Sequence, residues 1–275
     1  MVPGSLFEFT SRYVPDTRQQ QLVALYALTQ SLGAIPITPG DESVKWAKLK
    51  WWSEELLAEP SSPSRHPVLR MMWQSGARQN LDNGLLLRLV SDAISQIDIV
   101  PDAHENAMFE RLAAKGETEI LLELALDRTE IGTGELNNLA AASGVFALIS
   151  GASVGCTPGK LHLPLDLLAK YQLTTTLLEQ DPPGPEMLTA MSQLAESGQQ
   201  WFTKGLSGIS VSNSMHLRLR WVMEARLLAR FSKNAGKRIR SGNLIGPTDA
   251  WFAWRYCRKP ATANKESRVN ANVSG

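Results

Sequence analysis

Helical periodicity is the feature that most limits what this chain can fold into. Apolar residues recur every three or four positions through long runs, the runs are separated by short Gly-, Pro- and Ser-rich breaks, and alternation of the strand type never lasts beyond a few residues. In "TRQQQLVALYALTQSL" the residues Leu22, Leu25, Tyr26 and Leu32 are compatible with one apolar face, with Asp16 expected as N-cap and Gly33 as the stop. "DESVKWAKLKWWSEELLAE" sets Val44, Trp51, Trp52 and Leu56 among charges. "PSSPS", residues 60 to 64, breaks the pattern, and Pro67 suits the first turn of the next helix. "NGLLLRLVSDAISQI" reads as a helix after a turn. "DAHENAMFERLAAKGETEILLELAL" reads as one long helix or a bent pair with Gly116 as the weak point. "TGELNNLAAASGVFALISGASVG" is rich in small residues that permit close packing. "TPGKLHLPLDLLAKYQL" enters irregularly and becomes a short helix near Pro164, where Asp166 reads as a cap. Two strong helices, "GPEMLTAMSQLAESGQQWFTKGL" and "SMHLRLRWVMEARLLARFSKNAGKRI", precede a short last one in "GPTDAWFAWRYCRK", capped by Thr248 or Asp249. The pattern predicts a single all-α domain over residues 1–258 and a disordered polar tail over 259–275.

Composition narrows the function classes. A hydrophobic fraction of 43 % supports a sizeable core, and a formal net charge of +1 gives no global case for nucleic acid. Cys156 and Cys257 form neither a metal spacing nor a disulfide framework, which fits a reducing compartment. The opening "MVPGSLFEFTSRY" lacks a secretory pattern, and no apolar run approaches the roughly twenty residues of a membrane span. A cytoplasmic protein, at the inner face of a membrane if it touches one, is the expectation.

Four ordered segments carry a family resemblance. "SLFEFTSRYVPDTRQQQLVALYAL", "LKWWSEELLAE" with the following "HPVLRMM", "GKLHLPLDLLAKYQL", and "RWVMEARLLARF" with "AGKRIRSG" and "GPTDAWFAWR" resemble the squalene/phytoene synthase family, from about residue 5 to 258. The resemblance implies an isoprenoid-synthase fold of helices around an apolar cavity. It also implies an activity, the head-to-head joining of two prenyl diphosphates held through Mg²⁺ by two facing aspartate motifs, because Mg²⁺ demands oxygen ligands. The first motif should follow "LYALTQS", but Gly33, Ala34, Ile35 and Pro36 stand there. The second should lie in "ALISGASVGCTP", where Ser150 replaces the family Asn, Ser153 the Arg and Val154 the first Asp. No acid occurs from Leu136 to Leu165. In lacking the aspartates the chain resembles the family's non-synthase branch, which includes mitochondrial complex I assembly factors.

The leading expectation is therefore a pseudoenzyme without catalytic or metal residues and without cofactor. It would bind a protein partner or an isoprenoid- or quinone-like lipid as an assembly or accessory factor. The alternative is an active prenyl-diphosphate transferase using Mg²⁺ at an unusual site. Tyr26, Gly33, Trp52, Ser150, Val154 and His162 are the cavity candidates, although tryptophans at helical spacing more often pack in a core. Lys45, Lys48 and Lys50 interleave with Glu54, Glu55 and Glu59 and read as a solvated face, as do Glu110, Glu117, Glu119 and Glu123. His66 beside Pro67 reads as a local cap. From Val211 to Arg240 eight basic residues accompany one acid, Glu224. Within that segment Arg226, Arg230, Lys233, Lys237 and Arg240 recur at helical spacing. They predict a basic stripe for an anionic surface, either membrane lipid or an acidic partner.

Overall fold

The computed structural model describes residues 6–58, 64, 66–97, 100–129, 131–153, 163–178, 183–208, 214–241 and 246–258, without the side chains of 152, 153, 175, 208 and 238–241. Val154, His162, Cys156, most of the "PSSPS" break and the tail from 259 lie outside the described residues. The described residues form twelve α-helices and one 3₁₀ turn, with no strand among them. The helices are α1 (Leu6–Ser11), α2 (Asp16–Ile37), α3 (Glu42–Leu57), α4 (Pro67–Gln74), α5 (Asn83–Ile94), α6 (Glu105–Asp127), α7 (Thr133–Ser153), α8 (Leu165–Lys170), α9 (Thr175–Leu178), α10 (Pro185–Gly208), α11 (Met215–Ser241) and α12 (Pro247–Arg258).

Local chemistry sets most of these boundaries. Asp41 caps α3 by accepting from the Ser43 N–H at 2.7 Å, and Asp82 caps α5 through the Leu85 N–H at 3.1 Å. Pro67 occupies the first turn of α4 as expected, with His66 before it in extended conformation. The His66 side chain does not cap; its ring packs edge-on against Trp52 at 4.6 Å. Two boundaries differ from the sequence reading. Asp16 lies inside the first turn of α2 behind Pro15, and Gly33 does not stop the helix. The chain turns extended only at Thr38, because Pro39 disfavours a helical residue before it. Gly116 likewise leaves α6 unbroken. Its role is close approach: a Cβ there would stand 2.9 Å from the Ala140 carbonyl oxygen of α7.

Three apolar clusters hold the helices. One joins α6, α7, α8, α10 and α11 around Val145, Phe202, Trp221 and Phe231. A second joins α2 to α5 with Leu122 and Leu126 of α6, and Trp52 belongs to it. A small third cluster ties α1 and α12 to α11 through Leu6, Leu219, Met223 and Ala253. Where the clusters meet, the helices leave a space.

Part of the basic stripe is engaged within the chain. The chain departs from helical geometry at Asn234 (φ −146°, ψ 39°), so the regular spacing does not continue across it. Asp249 of α12, fully buried, pairs with Arg230 at 2.5 Å and Arg226 at 3.4 Å. Arg226 also lies over the Phe252 ring. Lys233 and Lys237 remain exposed, and the side chain of Arg240 is outside the description.

Candidate functional site

The space between the clusters is a cavity of about 780 Å³. Its walls come from α1 (Leu6, Phe7), α2 (Tyr26, Leu32, Gly33), α5 (Leu89, Ala93), α6 (Leu112, Ile120), α7 (Phe146, Leu148) and α11 (Arg220, Glu224). The volume is that of a small-molecule pocket, and the lining is mostly apolar with Lys45, Asp92, Arg111, Lys115, Glu119, Arg220 and Glu224 as its charged members. At one end Ile37, Thr38 and Pro39 line it, and Ile37 is 58 % exposed, so this end opens to the surface.

Polar side chains enter the cavity from several helices, and two of these, α6 and α11, carry titratable residues in a regular series. Along α6 titratable residues recur at four-residue intervals, Arg111, Lys115, Glu119, Glu123 and Asp127, and along α11 so do His216, Arg220 and Glu224. Residues four apart share a helix face, so each set forms a ladder. The ladders interlock. Arg220 donates to Glu123 and to the Tyr26 hydroxyl, and its Nε lies 3.6 Å from Glu224. Tyr26 reaches Glu123 at 3.1 Å, Ser143 donates to Glu224 at 2.6 Å, and Arg18 holds Asp127 through Nε at 2.7 Å. Phe7 stacks on Tyr26 with ring centroids 3.7 Å apart.

Burial sets the protonation of this network. It pushes Glu224 up to about 7, with Arg220 pulling the other way. It also raises Glu123 and Glu119, again against Arg220, and raises Asp92. It opposes the Arg220 charge, but Glu123, Tyr26 and Glu224 outweigh it and hold Arg220 well above its ordinary value. Burial and the nearby Arg220 charge lower His216 to about 3, so the imidazole is neutral. Its 3.5 Å approach to Glu123 is then no ion pair and too long for a good hydrogen bond.

The candidate residues separate in space. Tyr26 and Gly33 line the cavity, and nothing lies within 4 Å of a Cβ built on Gly33. Trp52 does not line it: this side chain is 4 % exposed and packs in the second cluster. Ser150 is also off the lining; on α7 that position falls to Ser143, Gly144, Ala147 and Gly151, and the Ser150 hydroxyl is buried without a partner among the described residues. Glu119 and Glu123, expected on a solvated face, point inward. Arg220, Glu224, Ser143 and Asp92 were missed. A detectable signal existed, since the two four-residue charge ladders sit inside apolar runs, where an exposed charged face would not be.

The sequence profile described as squalene/phytoene synthase matches residues 4–241. The chain belongs to the squalene/phytoene synthase family. Among solved structures, a dehydrosqualene synthase in complex with ligand superposes with a TM-score of 0.70 at 12 % identity, over 96 % of this chain and 92 % of that one. The squalene synthase HpnC from Alicyclobacillus acidocaldarius superposes with a TM-score of 0.64 at 16 % identity, over 84 % of this chain and 89 % of that one. At such identities the likeness establishes the all-α isoprenoid-synthase fold alone. No curated protein sequence matches significantly.

A Mg²⁺–diphosphate cluster, which the squalene/phytoene synthase resemblance implies, needs carboxylates converging from the cavity walls. The α2 wall presents Thr29, Leu32, Gly33 and Pro36, and the α7 wall Ser143, Gly144, Ala147 and Gly151, none of them acidic. The acids lining the cavity, Asp92, Glu119 and Glu224, come from three other helices. Among the described residues no three His, Cys, Asp or Glu side chains are grouped to hold a metal ion. The donor set does not fit the cluster.

Proposed function

We propose that this member of the squalene/phytoene synthase family has lost metal-dependent diphosphate chemistry and acts by holding a long-chain lipid in its cavity, as an accessory factor. One observation carries the reading: the cavity is retained at about 780 Å³ while its α2 and α7 walls carry no carboxylate. A diphosphate without its metal would have to be met by the cavity's own cations, and most are engaged: Arg220 by Glu123 and Glu224, Arg111 by Asp102, and Lys45 by the Pro36 carbonyl, which leaves Lys115 among the described lining residues, so burying several negative charges there is costly. A mostly hydrocarbon ligand meets no such penalty.

Two measurements on the full chain test this. Incubation with farnesyl or geranylgeranyl diphosphate and Mg²⁺ is expected to release no pyrophosphate. Metal-dependent release that disappears in Gly33→Trp would establish a transferase instead. Native mass spectrometry after exposure to lipid extract is expected to show a non-covalent adduct in the wild type and none in Gly33→Trp, whose indole projects into the space. An equal adduct in both would remove the cavity as the binding site.

A further inference from the structure

The surface around the cavity opening has its own chemistry. Between residues 37 and 51 the exposed side chains include Ile37 at 58 %, Val44 at 50 %, Trp46 at 47 % and Trp51 at 39 %. Val44, Ala47, Lys48 and Trp51 line a shallow groove on α3, and Lys45, one residue from Val44, lines the main cavity, so groove and opening are neighbours. Apolar surface thus continues from the cavity across Ile37 and Pro39 onto α3. It is interleaved with Lys45, Lys48 and Lys50. Among the described residues no carboxylate pairs with these lysines; the one bond shown is from Lys45 Nζ to the Pro36 carbonyl at 2.9 Å. Asp41, at the start of α3, is occupied in capping the helix.

Exposed Trp and aliphatic residues flanked by unpaired lysines match a bilayer interface, where apolar side chains enter the headgroup boundary and ammonium groups meet anionic lipid. Bulk water does not account for the apolar component at the opening, and its continuity with an apolar cavity favours a lipid surface. We propose that the α2–α3 corner docks the protein on an anionic membrane, and that the cavity's ligand enters from the bilayer between Ile37 and Lys45. The entry step rests on the cavity being a lipid site; the docking step does not, and the two are measured separately.

The full-length protein is mixed with vesicles of phosphatidylcholine alone, or with about a third phosphatidylglycerol, at low and high salt. Bound protein is read by sedimentation, and lipid retained by the re-isolated soluble protein is read by mass spectrometry. Wild type is expected to bind the anionic vesicles and to release with salt. Lys48→Glu/Lys50→Glu is expected to bind at least roughly tenfold more weakly, since each basic residue near an anionic surface contributes a several-fold factor. Val44→Ser/Trp51→Ser is expected to weaken binding while keeping the salt dependence. All four side chains are exposed, and an unchanged melting temperature shows that the variants are folded. Trp251→Ser/Trp254→Ser and Lys233→Glu/Lys237→Glu, which alter other exposed aromatic and basic surfaces, are expected to bind like wild type. Wild-type binding that ignores lipid charge, corner variants that bind normally, or loss confined to the α12 or α11 variants would each overturn the docking proposal. Normal docking with no lipid retained would overturn the entry step and the cavity reading, and would leave docking in place.

Discussion

Glu224→Gln tests the buried network directly, because Glu224 and His216 bend the stability curve in opposite directions. Burial pushes native Glu224 from its ordinary 4.5 up to about 7 and takes native His216 from 6.5 down to about 3. Between pH 4.5 and 7 native Glu224 keeps a proton that the unfolded chain has released, so this residue's contribution to stability falls as pH rises and is flat above 7. Between pH 3 and 6.5 the unfolded chain protonates His216 and the native state does not, so the histidine's contribution rises with pH. Over the shared window from 4.5 to 6.5 the two slopes offset each other. One pKa unit corresponds to about 1.4 kcal/mol, so the Glu224 limb amounts to about 3 kcal/mol. Glutamine keeps an oxygen for the Ser143 hydroxyl and removes the titration. At about 2 °C per kcal/mol for a chain of this size, the melting temperature of Glu224→Gln minus that of wild type should grow by about 6 °C from pH 4.5 to 7.5. Thermal unfolding followed by circular dichroism across that range reads it, with the exposed Glu54→Gln as control. A difference that stays constant with pH would refute the assignment of Glu224 as a group that burial keeps protonated.

Three further substitutions probe packing and pairing. Gly33→Ala, whose new methyl meets nothing within 4 Å, should stabilise the protein by about 0.5–1 kcal/mol in denaturant unfolding, because a helical glycine gives way to alanine. Gly116→Val, at a position where even a Cβ would stand 2.9 Å from the Ala140 carbonyl oxygen, should cost about 1–3 kcal/mol in the same assay. Asp249→Ala removes the partner of Arg226 and Arg230 and the acceptor of the Gly246 N–H at 2.8 Å; it should cost about 2 kcal/mol, and hydrogen exchange should show α12 opening first.

The fold was legible because a helix writes its buried stripe into local spacing: Leu22, Leu25, Leu28 and Leu32 are all buried and all on one repeat. Boundaries depending on one dominant local term were also readable, as at Pro67. Those where two terms compete were not. Gly33 is a permissive residue rather than a compelled stop, and Pro39 a few residues on has the stronger steric claim. The site was less legible for a different reason. A charge at helical spacing looks the same in one chain whether it faces water or a partner helix, so Glu119 and Glu123 read as solvated until α11 brings Arg220 across to them. The basic stripe differs in the opposite sense, since its periodicity is regular as far as Asn234 but Asp249, some twenty residues away in sequence, pairs with Arg226 and Arg230, two of its five members.

The acid-free α2 and α7 walls and the buried ladders belong together physically. Carboxylates on α2 and α7 facing one cavity would repel each other unless divalent metal ions compensated them, so a wall of that kind is stable only with its metal nearby. Gly33 and Pro36 on one side, with Ala147 and Gly151 on the other, remove that repulsion and leave apolar space. The remaining interior charge is then balanced within the chain: Arg220 between Glu123 and Glu224, Tyr26 and Ser143 each donating to one oxygen of these carboxyls, and Glu224 shedding charge by holding its proton. Such a network needs no ion to fold. It also ties α2, α6, α7 and α11 to one another, four of the helices that wall the cavity, and so braces those walls.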